Sequence, residues 1–158
     1  FKKSRTIKIP LVTPAIHSEK EVDLYQQELV KRLALLGIDD FYFSKYLCTT
    51  YGRNTDLILE KFSEIEANSL EEQLIRSELW YCMHFEMVNS LSDFFVRRTA
   101  RLYFDIGSAR QFVEVILQDF SSYLGWSKTR IEEEQKIMDD LIQDATHYYD
   151  QEFQKAEK

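Results

Sequence analysis

The residues of this chain that could do chemistry gather between Glu78 and Arg101. Leu79, Cys82, Met83 and Glu86 stand at i, i+3, i+4 and i+7, which is one face of a helix. Glu86 therefore shares a stripe with apolar residues, and an unpaired carboxylate there would be costly. Arg97, Arg98 and Arg101 follow shortly after, with Thr99 among them. Phe94 and Arg98 are i, i+4 neighbours, so Arg98 points inward if Phe94 does. The spacing predicts a buried Glu86–Arg98 pair, with Glu78 and Arg97 as a second pair or as exchangeable partners. Two roles are open to this set. As an anion site, the arginines would take a phosphate or carboxylate ligand. As a clip, the ion pairs would fix two helices together. The cations have acids available, which favours the clip. On that reading Glu86→Ala lowers the melting temperature strongly and Glu19→Ala does not.

Other chemistry finds little footing. His17, His84 and His147 form no HxxxH or HExxH pattern. Asp144 and His147 have the i, i+3 spacing of a ligand pair, but a di-iron bundle needs two Glu-x-x-His pairs and two more glutamates. No GxSxG, GxGxxG or GxxxxGK[ST] occurs, so neither a nucleophile elbow nor a phosphate-cradling loop is legible. Cys48 and Cys82 sit among apolar residues without CxxC spacing and read as buried free thiols. The sequence predicts no catalytic, cofactor-binding or metal-binding residue of its own. Trp80–Tyr81 and Tyr148–Tyr149 read as core, and the second pair could instead dock on another domain.

Helices must position the acid–arginine set. Ser18 with Glu21 forms a capping box ahead of Val22, Tyr25, Leu29, Leu33 and Leu36, and Gly37 ends that run. A second helix starts after Asp39 or Asp40 and stops at Gly52. Asn54 caps a third through Phe62. Ser69 with Glu72 opens a helix from about Leu70 to Asn89. Ser90 with Asp93 opens another to about Ala100, the alternative being one continuous helix over 70–101. Asp105, Gly107 and Ser108 make the next turn. A helix through Phe112, Ile116 and Phe120 follows, closed by Gly125. Ser127 caps the last, which carries Ile131, Ile137 or Met138, Leu141 and Ile142 and runs past Tyr148 and Tyr149.

The chain has 158 residues, 44% of them hydrophobic, with only 4 Gly and 2 Pro. Scarce breakers favour helices, and the length suits one domain with its own core. The fold predicted is all-α: a compact bundle of six to seven helices over residues 18–158, preceded by a short extended linker over 1–17. The net charge is −7, but residues 1–18 hold Lys2, Lys3, Arg5 and Lys8 and no acid, which leaves −11 on the rest. Such a body is a poor partner for nucleic acid or for an anionic membrane surface. The first residue is Phe1 rather than Met, so a fragment of a longer protein is expected.

The segment from Glu78 to Arg101, ELWYCMHFEMVNSLSDFFVRRTAR, resembles the signature of the C-terminal helical domain of FAD-dependent (aerobic) glycerol-3-phosphate dehydrogenases and alpha-glycerophosphate oxidases. Tyr51-Gly52, Leu124-Gly125-Trp126 with Arg130, and Pro10-Leu11 resemble further pieces of that family in order. The resemblance implies a parent flavoenzyme that oxidises glycerol 3-phosphate to dihydroxyacetone phosphate, reduces FAD and passes electrons to quinone or oxygen. It places flavin and substrate residues upstream, so none is carried onto this chain. It implies an upstream FAD/substrate domain as partner, a homodimer face, and a cytoplasmic parent peripheral at the inner face of the bacterial membrane. The paired calcium loops of the mitochondrial relatives are not in this sequence. The domain itself would be a structural cap. The competing roles are a stand-alone helical interaction module and an anion-sensing domain using Arg97, Arg98 and Arg101.

Overall fold

The computed structural model describes Ile9 and residues 15–147. Most of the extended segment expected over 1–17 lies outside those residues, as do Tyr148 and Tyr149. Seven α-helices and no strand occur among the described residues: α1 (Glu19–Leu35), α2 (Phe41–Tyr51), α3 (Thr55–Phe62), α4 (Leu70–Phe85), α5 (Arg101–Phe104), α6 (Ile106–Leu124) and α7 (Lys128–Thr146). The all-α architecture expected from scarce Gly and Pro is the one observed. The chain divides into two compact units, and the boundary falls between Ser77 and Glu78, inside α4.

In unit 1, local chemistry sets the helix ends. The Ser18 hydroxyl accepts the Glu21 N–H at 3.3 Å, while the Glu21 carboxylate accepts the His17 N–H at 2.9 Å. The capping box thus closes one residue earlier than its usual form. At the other end of α1, Ile38 N–H reaches the Leu33 carbonyl (2.9 Å) and Gly37 N–H the Ala34 carbonyl (3.0 Å). This double closure needs a left-handed residue between, and Gly37 supplies it at φ +87°. A Cβ there would also press on Leu70 Cδ1 at 3.2 Å. Asp40 caps α2 through the Tyr42 N–H at 2.8 Å. Asn54 does not cap α3. It ends a short 3-10 turn, Gly52–Asn54, in helical geometry, and its side chain bonds no helix N–H. α1 packs on α2, and α2 on α3. Tyr25, Leu29, Leu33, Leu47, Ile58 and Ile75 are fully buried.

Unit 2 contains the remainder of α4 and α5–α7. α4 ends at Phe85, four residues before the expected end, because the Cys82 carbonyl accepts both Glu86 N–H (3.0 Å) and Val88 N–H (3.3 Å) while Met87 turns left-handed at φ +56°. A continuous helix over 70–101 is thereby excluded. Ser90 starts the next segment as its capping signature requires, its hydroxyl accepting the Asp93 N–H at 3.1 Å. That segment is π-helical over Asp93–Arg98, and the Phe94 carbonyl takes the Thr99 N–H at 3.0 Å. Ala100, left-handed at φ +53°, turns the chain into α5. α6 begins at once, with Asp105 capping the Ser108 N–H at 3.1 Å. The expected turn over 105–108 is thus a single capping residue. α5, α6 and α7 pack on one another, and Leu91, Phe94, Phe95, Ile116, Phe120 and Met138 form fully buried core. On α7 it is Met138, not Ile137, that goes inward. α7 ends at Thr146, with His147 extended.

Candidate functional site

The charged centre of unit 2 is built on Arg101 rather than Arg98. Arg101 is the first residue after the left-handed turn at Ala100, which aims its side chain inward. Its Nη2–H donates to Glu78 Oε2 at 2.6 Å, and its Nη1–H donates to Ser108 Oγ at 2.8 Å. Asp105 Oδ2 stands 3.6 Å from the same Nη1. The Arg101 and Glu78 side chains are 5% and 0% exposed. Asp105 therefore has two tasks: one oxygen caps α6 and the other faces the guanidinium. A short charge-assisted bond between buried groups is the kind that fixes geometry, and loss of either partner strands a charge in low dielectric.

The expected Glu86–Arg98 pair exists but is not buried. Arg98 Nε lies 3.6 Å from Glu86 Oε2, with the side chains 43% and 26% exposed. Arg98 Nη2–H also donates to the Glu86 carbonyl at 2.9 Å, placing a cation just past the C-terminal end of α4, where the helix dipole favours it. Glu86 left the apolar stripe because α4 ends before it. Arg98 left the Phe94 face because the π turn carries the Phe94 carbonyl to Thr99, so i and i+4 no longer align. Arg97 does not meet Glu78. It forms an exposed ion pair with Asp93, one turn back. Glu78, Glu86, Arg97 and Arg98 thus fall into three separate ion pairs, completed by Arg101 and Asp93. The three guanidiniums do not converge on a common ligand.

A second buried carboxylate had no signal in the apolar pattern of α7. Glu134 Oε2 accepts the Leu91 N–H at 2.8 Å, satisfying a backbone donor at the start of the π-helical segment, and Oε1 pairs with Arg130. Arg130 also lies over the Trp126 ring at 5.5 Å, and Trp126 stacks on Phe120 at 5.1 Å. Gly125, left-handed, lets Trp126 fold back in this way, and the Trp126 N–H reaches the Ser121 carbonyl at 3.2 Å. The Leu124-Gly125-Trp126 turn with Arg130 is therefore one assembly that ends in Glu134. The i, i+4 spacing of Arg130 and Glu134 was readable. The partner at Leu91 was not.

Unit 1 has its own polar centre. The buried Tyr25 hydroxyl donates to Asp56 Oδ1 at 3.0 Å, and Arg32 pairs with the same oxygen. Arg53 lies over the Tyr25 ring at 4.5 Å. Burial pushes the Tyr25 phenol well above its ordinary range, and the Asp56 charge and hydrogen bond add to this. Burial likewise pushes the Cys48 thiol up, which keeps it protonated and unreactive. Cys48 and Cys82 are both buried free thiols. His84 donates through Nδ1–H to the Trp80 carbonyl at 2.7 Å. Among the described residues no three His, Cys, Asp or Glu side chains come together as a metal would require, and no helix is long and apolar enough to cross a membrane.

The chain has relatives among known proteins in its sequence. The chain is similar to the aerobic glycerol-3-phosphate dehydrogenase of Bacillus subtilis (strain 168), 28% identical over 105 residues, which cover 65% of this chain and 19% of that protein. It is similar to the Staphylococcus aureus (strain USA300) protein of the same name, 24% identical over 136 residues, 84% of this chain and 24% of that one. The chain therefore spans about a fifth to a quarter of the length of these relatives. The family model for the C-terminal domain of alpha-glycerophosphate oxidase matches residues 5–131, which include the Glu78–Arg101 pair and the Trp turn and leave most of α7 outside. The chain belongs to the family of the C-terminal domain of alpha-glycerophosphate oxidase.

Proposed function

We propose that this chain is the structural C-terminal domain of an FAD-dependent glycerol-3-phosphate dehydrogenase. The parent oxidises glycerol 3-phosphate to dihydroxyacetone phosphate and hands the electrons on to quinone at the inner face of the bacterial cytoplasmic membrane. The domain lends the parent a folded helical body and no reacting group. The observation that carries this reading is the state of the arginines. A phosphate-bearing substrate needs an available guanidinium, whereas Arg97, Arg98 and Arg101 each face a carboxylate of their own. The same fact weighs against an anion-sensing role.

The described residues do not fit a flavin. A dinucleotide pyrophosphate is usually held where a glycine-rich strand–helix turn offers backbone N–H groups. This sequence has no GxGxxG, and the described elements are all helical. An open groove of about 490 Å³ in unit 1 is lined by Asp56 and Glu60, with Arg32 already bound to Asp56. Carboxylates there would repel a pyrophosphate. FAD belongs to the rest of the parent.

The test uses the chain and its parent side by side. With FAD and glycerol 3-phosphate, the parent reduces its flavin and this chain alone does not. Substrate-dependent flavin reduction by this chain alone would overturn the assignment.

A further inference from the structure

Unit 2 sets a half-buried Trp80 beside the exposed His84 and Phe85. The Trp80 ring lies 4.7 Å from His84 and 5.9 Å from Phe85, and His84 lies 6.1 Å from Tyr123, measured between ring centroids. These rings come from the end of α4 and the end of α6. The bond from His84 to the Trp80 carbonyl fixes the middle of the cluster. Phe85, Tyr123 and Leu124 are exposed, and Met87 is 87% exposed. Met87 is also in the left-handed region at φ +56°, which a bulky side chain enters only at a conformational cost. The bonds from Glu86 and Val88 to the Cys82 carbonyl keep it there. Strain and exposure thus coincide at Met87, two residues past Phe85 in the sequence.

Aromatic residues and methionine on one exposed patch are the composition of an interface core. The length of the relatives identifies the occupant. The segments matched cover only 19% and 24% of two of them, and the matched family is a C-terminal domain, so most of such a polypeptide precedes it. An anionic lipid surface is a poorer occupant, because the body of the chain beyond residue 18 carries −11. We propose that the surface of Trp80, His84, Phe85, Met87, Tyr123 and Leu124 is the face on which the preceding part of the parent polypeptide packs. The proposal rests on the parent reading given above.

Hydroxyl-radical footprinting of the full-length parent, read by mass spectrometry, tests it. Met87 and Phe85 should label at least tenfold more slowly in the folded parent than in the urea-unfolded chain. Labelling at the unfolded rate would overturn the proposal. Protection that vanishes on dilution to nanomolar protein would overturn it in favour of a second copy. Protection that appears only with phosphatidylglycerol vesicles would overturn it in favour of a membrane. Met87→Asn keeps a residue that tolerates the left-handed turn but removes the apolar side chain. In that variant the parent should stay folded by circular dichroism while Phe85 and Tyr123 label several-fold faster, and unchanged labelling would count against the docking face. Protection in a parent that does not oxidise glycerol 3-phosphate would leave the docking face standing and remove the activity reading.

Discussion

Arg101 and Glu78, 23 positions apart in sequence, meet through a 2.6 Å hydrogen bond in which neither side chain has appreciable contact with water. The Ser108 hydroxyl and the Asp105 carboxylate hold the other arm of the guanidinium. One side chain thereby ties the second half of α4 to α5 and the start of α6. Glu78→Ala should destabilise the protein by about 3–5 kcal/mol, since it leaves a buried guanidinium short of its main counter-charge. Replacing both partners by apolar residues of similar size, Glu78→Leu with Arg101→Met, should recover much of that loss. Urea unfolding of the unsubstituted protein, Glu78→Ala and the double variant checks it, and a double variant as unstable as Glu78→Ala or more so would show that the cost is not one of stranded charge.

Glu86→Ala should do far less. Its partner Arg98 is 43% exposed, and an ion pair of that exposure is worth about 1 kcal/mol or less. The midpoint of thermal unfolding should move by about 2–4 °C at most. Arg98→Ala should cost more than Glu86→Ala, because it also removes the bond to the Glu86 carbonyl. A Glu86→Ala loss as large as that of Glu78→Ala would restore the buried pairing expected from the helical stripe.

Tyr25 makes the stability of unit 1 sensitive to alkali. Its phenol is raised above the ordinary value of 10.0, first by burial and then by the charge and hydrogen bond of Asp56. The folded state therefore holds its proton to higher pH than the unfolded chain does. The contribution is fully present below about pH 10 and is lost as pH rises beyond it. Tyr25→Phe should cost about 1 kcal/mol at neutral pH through the missing bond to Asp56. It should also flatten the fall in stability above pH 10. An equally steep fall in the variant would assign the alkaline loss to other groups.

Ala100→Gly should stabilise the protein by about 0.5–1 kcal/mol. Ala100 sits at φ +53° and ψ +19°, where an L residue carries about 1–2 kcal/mol of strain that glycine avoids, less the extra freedom glycine gives the unfolded chain. Thermal unfolding reads the gain. A loss would mean that the methyl group makes contacts worth more than the strain.

The legible and the illegible parts of this protein separate by range. Ser18, Asp40, Ser90, Asp105 and Ser127 each begin a segment by bonding an N–H two or three residues on, and Gly37, Gly52 and Gly125 end helices at positive φ. These are local arrangements, and local residue types announce them. What failed was phase. The stripe through Leu79, Cys82 and Met83 assumed that α4 reaches Glu86, and the pairing of Phe94 with Arg98 assumed a regular turn. Met87 and the π turn over Asp93–Arg98 broke both assumptions. Neither carries a glycine or proline to mark it. The inward member of the arginine cluster is Arg101, not the Arg98 that the Phe94 spacing predicts. Glu134 stayed hidden because its partner is a backbone N–H 43 positions away.

The Glu78–Arg101 centre ties α4 to α5 and α6, and we infer that it takes no part in chemistry. Stopped-flow reduction of the bound flavin by glycerol 3-phosphate, in the full-length parent carrying Glu78→Leu and Arg101→Met, puts this to the test. The first-order reduction rate per bound flavin should stay within about twofold of the unsubstituted enzyme, since removing groups that stabilise no transition state leaves the chemical barrier unchanged. A drop of about a hundredfold or more, with the protein folded and the flavin bound, would place the pair in the active site.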